Sequence, residues 1–438
     1  MTQYSMYNIL EKKKHRQALQ DDEIQFVIQE MMDDTIKDYQ IAAFLMACYC
    51  QGMDDAETAA LTDAMLYSGK TLSFSEKNIV DKHSTGGIGD KTSFILAPIA
   101  SACGVKVPMI AGRGLGFTGG TVDKVEAIPG FNTDLTLEQF EKRLIENNIV
   151  LMGQTDEIAP ADKKIYALRD VTATIDSIPL ITASIMSKKL AEGANGIVLD
   201  IKVGNGAFMR DMEQASELAK SINATAKRFK KKSACLLTNM SQPLGQAVGH
   251  SLEIIECIET LKGKGPKDLT EISVELAAHM IVLAEVCESI DQARDMATQA
   301  IANGSALQEF KKLIAAQEGN DQVVENYDLL PLASEKTQVL ASQDGTIHEF
   351  VTDQIGFQCT ELGGGRKVKS DKIDYGVGFI FHKKLGEQVK KGEELLTIYH
   401  NKDQQDLVAK ISERMSYEYV TVKKEPLEMP QTIYKVIH

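Results

Sequence analysis

The chain has 438 residues, 43% hydrophobic and 25% charged, enough for two or three domains with large cores. A formal net charge of −14 argues against a protein that coats nucleic acid or an anionic membrane. No run approaches the ~18 apolar residues of a membrane span, "MTQYSMYNILEKKKHRQALQ" lacks a leader's apolar centre, and none of the seven cysteines forms C-x-x-C. The expectation is a cytoplasmic protein with reduced cysteines, Cys48 and Cys50 being core residues of an apolar helix.

Residues 1–70 read as helices. "DDEIQFVIQEMM" spaces Ile24, Val27, Ile28 and Met31 along one face, with Asp21 or Asp22 as the cap. "DYQIAAFLMACYCQGM" and "DDAETAALTDAMLYSGK" repeat the pattern, Gly69 ending the second. The texture then changes. "NIVDKHSTGGIGDK" is a strand entering a glycine loop, "KTSFILAPIASACG" a helix, and "VKVPMIAG" a second strand. It leads into "RGLGFTGG" and the helix start "TVDKVEAI". Strand, glycine loop and helix in succession, twice, predict an α/β sheet. "NNIVLMG", "GIVLDIKVG" and "SACLLTNM" are further strands, and "MEQASELAKSINATAKRF" is a helix between the last two. Residues 161–194 read as helix and are expected to return to the N-terminal module. Helices continue over about 247–317, a linker follows, and a β-rich C-terminal region begins near 336. Its "GVGFIFHKKLGEQVKKGEELLTI" resembles a biotinyl/lipoyl hairpin without a carrier lysine, and so reads as structural.

Two glycine loops at neighbouring strand ends, each feeding a helix, suit an anion. Glycine lets backbone N–H groups approach a phosphate, and a helix N-terminus favours its charge. Lys82, Ser84, Thr85, Thr92, Ser93, Thr118 and Thr121 add the hydroxyls and cation of such a site. Tight turns alone would need the glycines but not these partners. "GLGFTG" fits G-x-G-x-x-G but does not open the α/β region, so a dinucleotide fold is not read from it. "GGIGDKT" lacks the glycine before the lysine of a P-loop, Asp90 standing there instead.

"VDKHSTGGIGDKTS", "AGRGLGFTGGTVDKVEAIPGF", "GQTDEIAPADKKIYALRDVTATIDSIPLITASIMSKKLAEG" and "SQPLGQAVGHSLEIIE" closely resemble, in order, the thymidine phosphorylase and pyrimidine-nucleoside phosphorylase family. The family is similar in fold to anthranilate phosphoribosyltransferase. The resemblance implies an α/β protein with a small all-helical domain over 1–67, completed by about 161–194. A larger mixed α/β-sheet domain would take 68–160 and 195–335, and a C-terminal α+β domain 336–438. It implies a homodimer, and reversible phosphorolysis of a pyrimidine nucleoside to free base and pentose 1-phosphate. Inorganic phosphate would be a substrate, with no organic cofactor and no nucleic-acid or membrane partner. Closure of the cleft between the domains would unite the substrates.

By the same resemblance, Lys82, His83, Ser84, Ser93 and Thr121 hold phosphate, beside the strand end Met109, Ile110 and Ala111. Arg169 and Lys188 face the base carbonyls and stabilise the leaving pyrimidine, Ser184 bonds the base edge, and Leu115, Tyr166 and Ile181 wall it. His83 is the candidate proton donor, since imidazole titrates near neutral pH. Each has a plainer alternative: "SKKLAEG" as an exposed basic helix end, Arg169 paired with Asp170 or Asp162, His83 as a satisfied loop histidine. A family K⁺ site would map to Gly89, Lys91, Leu244, Ala247 and Glu256, although Lys91 stands where threonine is common and its ammonium would compete with the ion. Ala111 replaces the family's serine and Phe117 its histidine. Met109 stands where thymidine phosphorylases have methionine and broad-specificity members lysine, which leans the expectation toward 2′-deoxynucleosides, thymidine first. A uridine-accepting phosphorylase and a non-catalytic binding paralogue stay open as alternatives.

Overall fold

The protein is described by a computed structural model covering residues 4–114, 119–368 and 370–438. Four helices begin the chain: α1 (Met6–Lys14), α2 (Asp21–Met32), α3 (Asp38–Gln51) and α4 (Asp55–Leu66). Asp54 caps α4 by accepting from the Glu57 amide at 2.8 Å, while Glu57 accepts from the Asp54 amide at 3.0 Å. Glu57 also takes the buried Lys13 ammonium at 2.6 Å, tying α1 to α4. At α2 the cap differs from the expectation. Gln20 holds that position, its amide bonded to Glu23 at 2.7 Å, and Asp21 and Asp22 lie in the first turn.

The α/β region follows as β1 (Val80–Ser84), α5 (Ser93–Ala102), β2 (Val107–Ala111), α6 (Thr121–Val125), α7 (Leu137–Asn147) and β3 (Ile149–Gly153). Next come α8 (Pro160–Val171), α9 (Ile178–Ala191), β4 (Gly196–Val203), α10 (Met212–Arg228) and β5 (Lys232–Asn239). Strands β1, β4 and β5 are parallel neighbours, Ser84 facing Asp200 and Asp200 facing Leu236. The parallel pair β2–β3 lies beside β1 through a bridge between Ile79 and Lys106. Helices α8 and α9 leave the sheet: Ala161, Ile165, Leu180 and Ala183 share a core with α1–α4. That places helical-domain side chains opposite the C-terminal ends of β1 and β2, where an open α/β sheet binds ligands. Side chains alternate along β2, so Met109 and Ile110 join the cores on opposite faces of the sheet.

A short strand β6 (Ala247–Val248) and helices α11 (His250–Leu261), α12 (Lys267–Leu283), α13 (Ile290–Ala302) and α14 (Ser305–Ala316) complete the larger domain. The C-terminal region contains β7 (Glu335–Leu340), β8 (Gly345–Phe350), α15 (Thr352–Cys359), β9 (Gly378–Phe381), β10 (Gln388–Val389), β11 (Glu394–His400), α16 (Gln405–Arg414), β12 (Val420–Lys423) and β13 (Ile433–Ile437). Sheets β10-β8-β12 and β6-β9-β11-β7 build the α+β unit. Two crossings lock it to its neighbour: β6 pairs with β9, and β13 returns antiparallel to β5 at the edge of the main sheet. All seven cysteines are free; Cys48 is buried, but Cys50 is exposed on α3, contrary to the core placement expected for it. Among the described residues no helix is long and apolar enough to cross a membrane.

Candidate active site

The two glycine loops leave β1 and β2 side by side and open on one cleft of about 570 Å³. Lys82, His83 and Ser84 enter it from β1, Ser93 from the first turn of α5, Met109, Ile110 and Ala111 from β2, and Thr121 from the start of α6. Glycine is needed in the first loop for its conformation: Gly86 and Gly89 have φ +82° and +74°. In the second loop close approach is the reason. A Cβ on Gly120 would lie 2.0 Å from the Gly114 amide nitrogen and 2.5 Å from the Arg113 carbonyl carbon. Asp123, in α6, fixes this loop by accepting from the Gly114 amide at 2.7 Å and pairing with Arg366 at 2.9 Å. Leu115, Phe117 and Thr118 lie outside the described residues.

The cation on the glycine-loop side is Lys82, buried, with its ammonium 2.7 Å from Thr92 Oγ1. Burial pushes its pKa down, against the raising fields of Asp90 and Asp200. Asp90 accepts from Ser84 Oγ at 2.5 Å and Thr92 Oγ1 at 2.9 Å. Burial opposes its charge, but Lys82, Lys202 and Lys124 together hold it far below the carboxylate range. Asp90, Ser84, Thr92 and Lys82 thus form one linked polar network, with Thr92 Oγ1 bridging the Lys82 ammonium and the Asp90 carboxylate.

His83 is not poised as an imidazolium. Burial, and then the charges of Lys189, Lys188 and Lys82, press its pKa well below the imidazole value. That direction runs against the expectation that it titrates near working pH. A neutral imidazole still offers one N–H and one lone pair.

On the helical side, Tyr166 lines the cleft together with Asp170 and Ile175. Arg169, Ile181, Ser184 and Lys188 do not line it. Arg169 is almost fully buried, and pairs with neither Asp170 nor Asp162. Its guanidinium donates to the carbonyls of Thr174 at 3.1 Å, Leu180 at 3.0 Å and Ile175 at 2.5 Å, and lies 5.9 Å from the Tyr166 ring centre. It thereby fixes the turn between α8 and α9. Lys188 donates to Asp162 and, at 2.9 Å, to Ser184 Oγ. Ser184 is buried on α9, and Ile181, one turn earlier, packs against the core beneath the sheet.

Several cleft residues escaped the sequence reading, among them Lys189, Phe208, Asp90 and Lys367. Lys189 donates to Asp81 at 2.6 Å, Glu192 at 2.8 Å and the Ile110 carbonyl at 3.0 Å, pinning the end of β2. Phe208 follows β4, half-exposed at the cleft. Asp90 had served only to exclude a P-loop. Lys367 comes from the C-terminal domain, pairing with Glu361 at 2.8 Å. The "KK" pair and the acidic residue between two glycine loops were the available signals; for Lys367 nothing local marks a contact spanning the whole chain. The residues mapped to K⁺ also meet, around the Lys91 ammonium: Nζ is 3.0 Å from the Leu244 carbonyl, 2.8 Å from that of Ala247 and 2.5 Å from Glu256 Oε2.

A helical bundle facing the glycine loops of a parallel sheet, with a cation, hydroxyls and helix starts at one edge, is the architecture of a two-domain glycosyl transferase. The chain matches the family described as "Glycosyl transferase family, helical bundle domain" over residues 7–69 and "Glycosyl transferase family, a/b domain" over 76–307. Residues 346–418 match "Pyrimidine nucleoside phosphorylase C-terminal domain". Among curated proteins it is 46% identical over 434 residues to a pyrimidine-nucleoside phosphorylase of Geobacillus stearothermophilus, covering 99% of each chain. It is 44% identical over 435 residues to that of Bacillus subtilis, again covering 99% of each. The chain belongs to the pyrimidine-nucleoside phosphorylase family. Anthranilate phosphoribosyltransferase from Thermus thermophilus shares its fold with a TM-score of 0.59 at 18% identity, over 70% of this chain and 98% of that one.

Proposed function

We propose that the protein catalyses reversible phosphorolysis of pyrimidine nucleosides and accepts uridine as well as thymidine. The observation that carries this is full-length similarity to relatives named pyrimidine-nucleoside phosphorylase, together with a cleft that gathers the phosphate residues of both glycine loops. A phosphate oxygen bonds to C1′ as the C1′–N1 bond breaks, and the electron pair leaves with the base. Monohydrogen phosphate becomes a phosphate ester, so its proton is free to neutralise the base, and neutral His83 can relay it by accepting on one nitrogen and donating from the other. Lys82, Ser84, Ser93 and Thr121 bind phosphate. Lys188 stabilises the departing anion, which requires its release from Asp162 toward the base as the domains close, and Arg169, held to the α8–α9 carbonyls, can contribute only if that closure also uncovers its guanidinium.

A second reading, selectivity for 2′-deoxynucleosides as in thymidine phosphorylase, is favoured by Met109. Its buried thioether lines the cleft and offers no strong partner to a 2′-hydroxyl. The relatives' names favour the broader specificity. A phosphate-dependent assay with thymidine, deoxyuridine and uridine separates the two, and a non-catalytic paralogue would turn over none.

The functional unit we propose is a homodimer. Helix α3 leaves Tyr39, Ala43, Met46 and Cys50 exposed along one stripe, with Tyr7 of α1 exposed nearby. Apolar surface at that spacing on a polar protein suits a second copy. Light scattering tests it: a 48.1 kDa monomer would contradict it. Free cysteines agree with a reducing, cytoplasmic setting.

A further inference from the structure

Lys91 opens the turn into α5 and reaches away from the cleft. Its ammonium is fully shielded from solvent and has three N–H donors. Each finds one acceptor: the Leu244 carbonyl, the Ala247 carbonyl and Glu256 Oε2. The other oxygen of Glu256, Oε1, accepts from the Gln246 amide at 2.7 Å, so the carboxylate is fixed in place. Gly89 runs directly against this cage: a Cβ there would lie 2.7 Å from the Leu244 carbonyl oxygen. The Leu244 amide in turn donates to the Ile88 carbonyl at 3.0 Å. The ammonium thus fastens the first glycine loop to the β5–β6 connection and to α11.

Two carbonyls and a carboxylate converging on one buried point form an environment suited to a dehydrated monovalent cation of about ammonium size. A free ion beside Lys91 would meet a like charge at contact distance, with every oxygen of the cage already taken. The donor set fits one cation, and the chain supplies it. Glu256, with Oε2 at 2.5 Å, supplies the counter-charge.

We infer that the Lys91 ammonium is a built-in substitute for a bound monovalent cation. The glycine loop is ordered without K⁺, and shortening Lys91 to threonine converts the same oxygen cage into a K⁺ site. The link to turnover rests on the phosphorylase reading; the link to stability does not.

The test uses the full chain without nucleoside, melted in KCl or tetramethylammonium chloride at equal ionic strength, followed by phosphate-dependent uridine cleavage in the same salts. Wild type should melt at the same temperature and turn over at the same rate in both. Lys91→Thr should melt lower in tetramethylammonium and regain stability saturably with K⁺. At about a hundred times the half-saturating K⁺ concentration its folding equilibrium should shift about a hundredfold toward the native state, and the activity lost in tetramethylammonium should return. Lys91→Met, which leaves neither charge nor ion space, should be destabilised alike in both salts. A saturable K⁺ effect on wild type overturns the inference, as does a Lys91→Thr protein indifferent to the salt. If Lys91→Thr does not fold in tetramethylammonium, refolding in KCl supports the inference and failure in both contradicts it. A K⁺-specific melting shift in Lys91→Thr, with no turnover by wild type, would keep the inference and remove the phosphorylase reading.

Discussion

Lys188 and Lys189 are consecutive on α9 yet serve different domains. Lys188 donates to Asp162 and Ser184 within the helical side, and Lys189 to Asp81, Glu192 and the Ile110 carbonyl beneath the sheet edge. The ~100° step between neighbours on a helix separates them. Their variants should separate too. Lys188→Ala should lose roughly 10²–10³ in kcat/KM, the usual cost of one transition-state donor, while phosphate binding stays near wild type; it unpairs one buried carboxylate, Asp162, so its melting temperature should fall, but less than that of Lys189→Ala. Lys189→Ala strands the buried Asp81 and Glu192 carboxylates, and should destabilise the fold by about 3–5 kcal/mol. Thermal melts and steady-state kinetics on both proteins check the pair; equal loss of stability would contradict the division.

His250 gives the protein an acid limb. It is buried between the domains with both ring nitrogens unpartnered among the described residues. Burial lowers its pKa from 6.5 to about 4, with Glu253 and Asp123 opposing that shift and Lys124 and Arg366 adding to it. The unfolded chain therefore takes up this proton at higher pH than the folded one. The stability contribution is complete above pH 6.5 and lost as pH falls toward 4, at a slope of about 1.4 kcal/mol per pH unit, on the order of 3 kcal/mol in all. Urea titrations from pH 7 to 4 should show the slope in wild type and a shallower one in His250→Phe; identical slopes would exclude His250 as the source.

Gly120 tests the second loop. Gly120→Ala places a Cβ against the Gly114 and Arg113 backbone, where nothing can turn aside. The loop must shift, and a displacement of about 1 Å at a reacting site commonly costs ~10²-fold in rate. The loss should appear in kcat/KM for phosphate with the far-UV spectrum unchanged; wild-type kinetics would show that the loop does not position phosphate.

Much of this was legible in the sequence because it repeats short-range rules. Helical periodicity marked α2–α4, and Ser, Thr and Lys clustered with glycine marked the sheet edge on which the cleft opens. Long-range pairing was not legible. Five residues of β13 carry no sign that they will join β5, some two hundred positions earlier, since an edge strand is specified by its neighbour. Cys50 is exposed because α3 is apolar around most of its surface, leaving periodicity unable to say which side faces in. Lys91 looked like a competitor for an ion; only the fold places its nitrogen among that ion's expected ligands.

Met109 offers a test of the sugar preference. Broad specificity predicts that wild type uses uridine within about tenfold of deoxyuridine, because a 2′-hydroxyl buried unpaired would cost about 1–3 kcal/mol and must find a partner elsewhere. A wider gap, narrowed by Met109→Lys, would reinstate the deoxynucleoside-selective reading.

The most direct measurement is product analysis with uridine and thymidine, each with and without inorganic phosphate. The account predicts free uracil and free thymine, each matched by one equivalent of pentose 1-phosphate, only when phosphate is present. Base release independent of phosphate, or no release from either nucleoside, would contradict it.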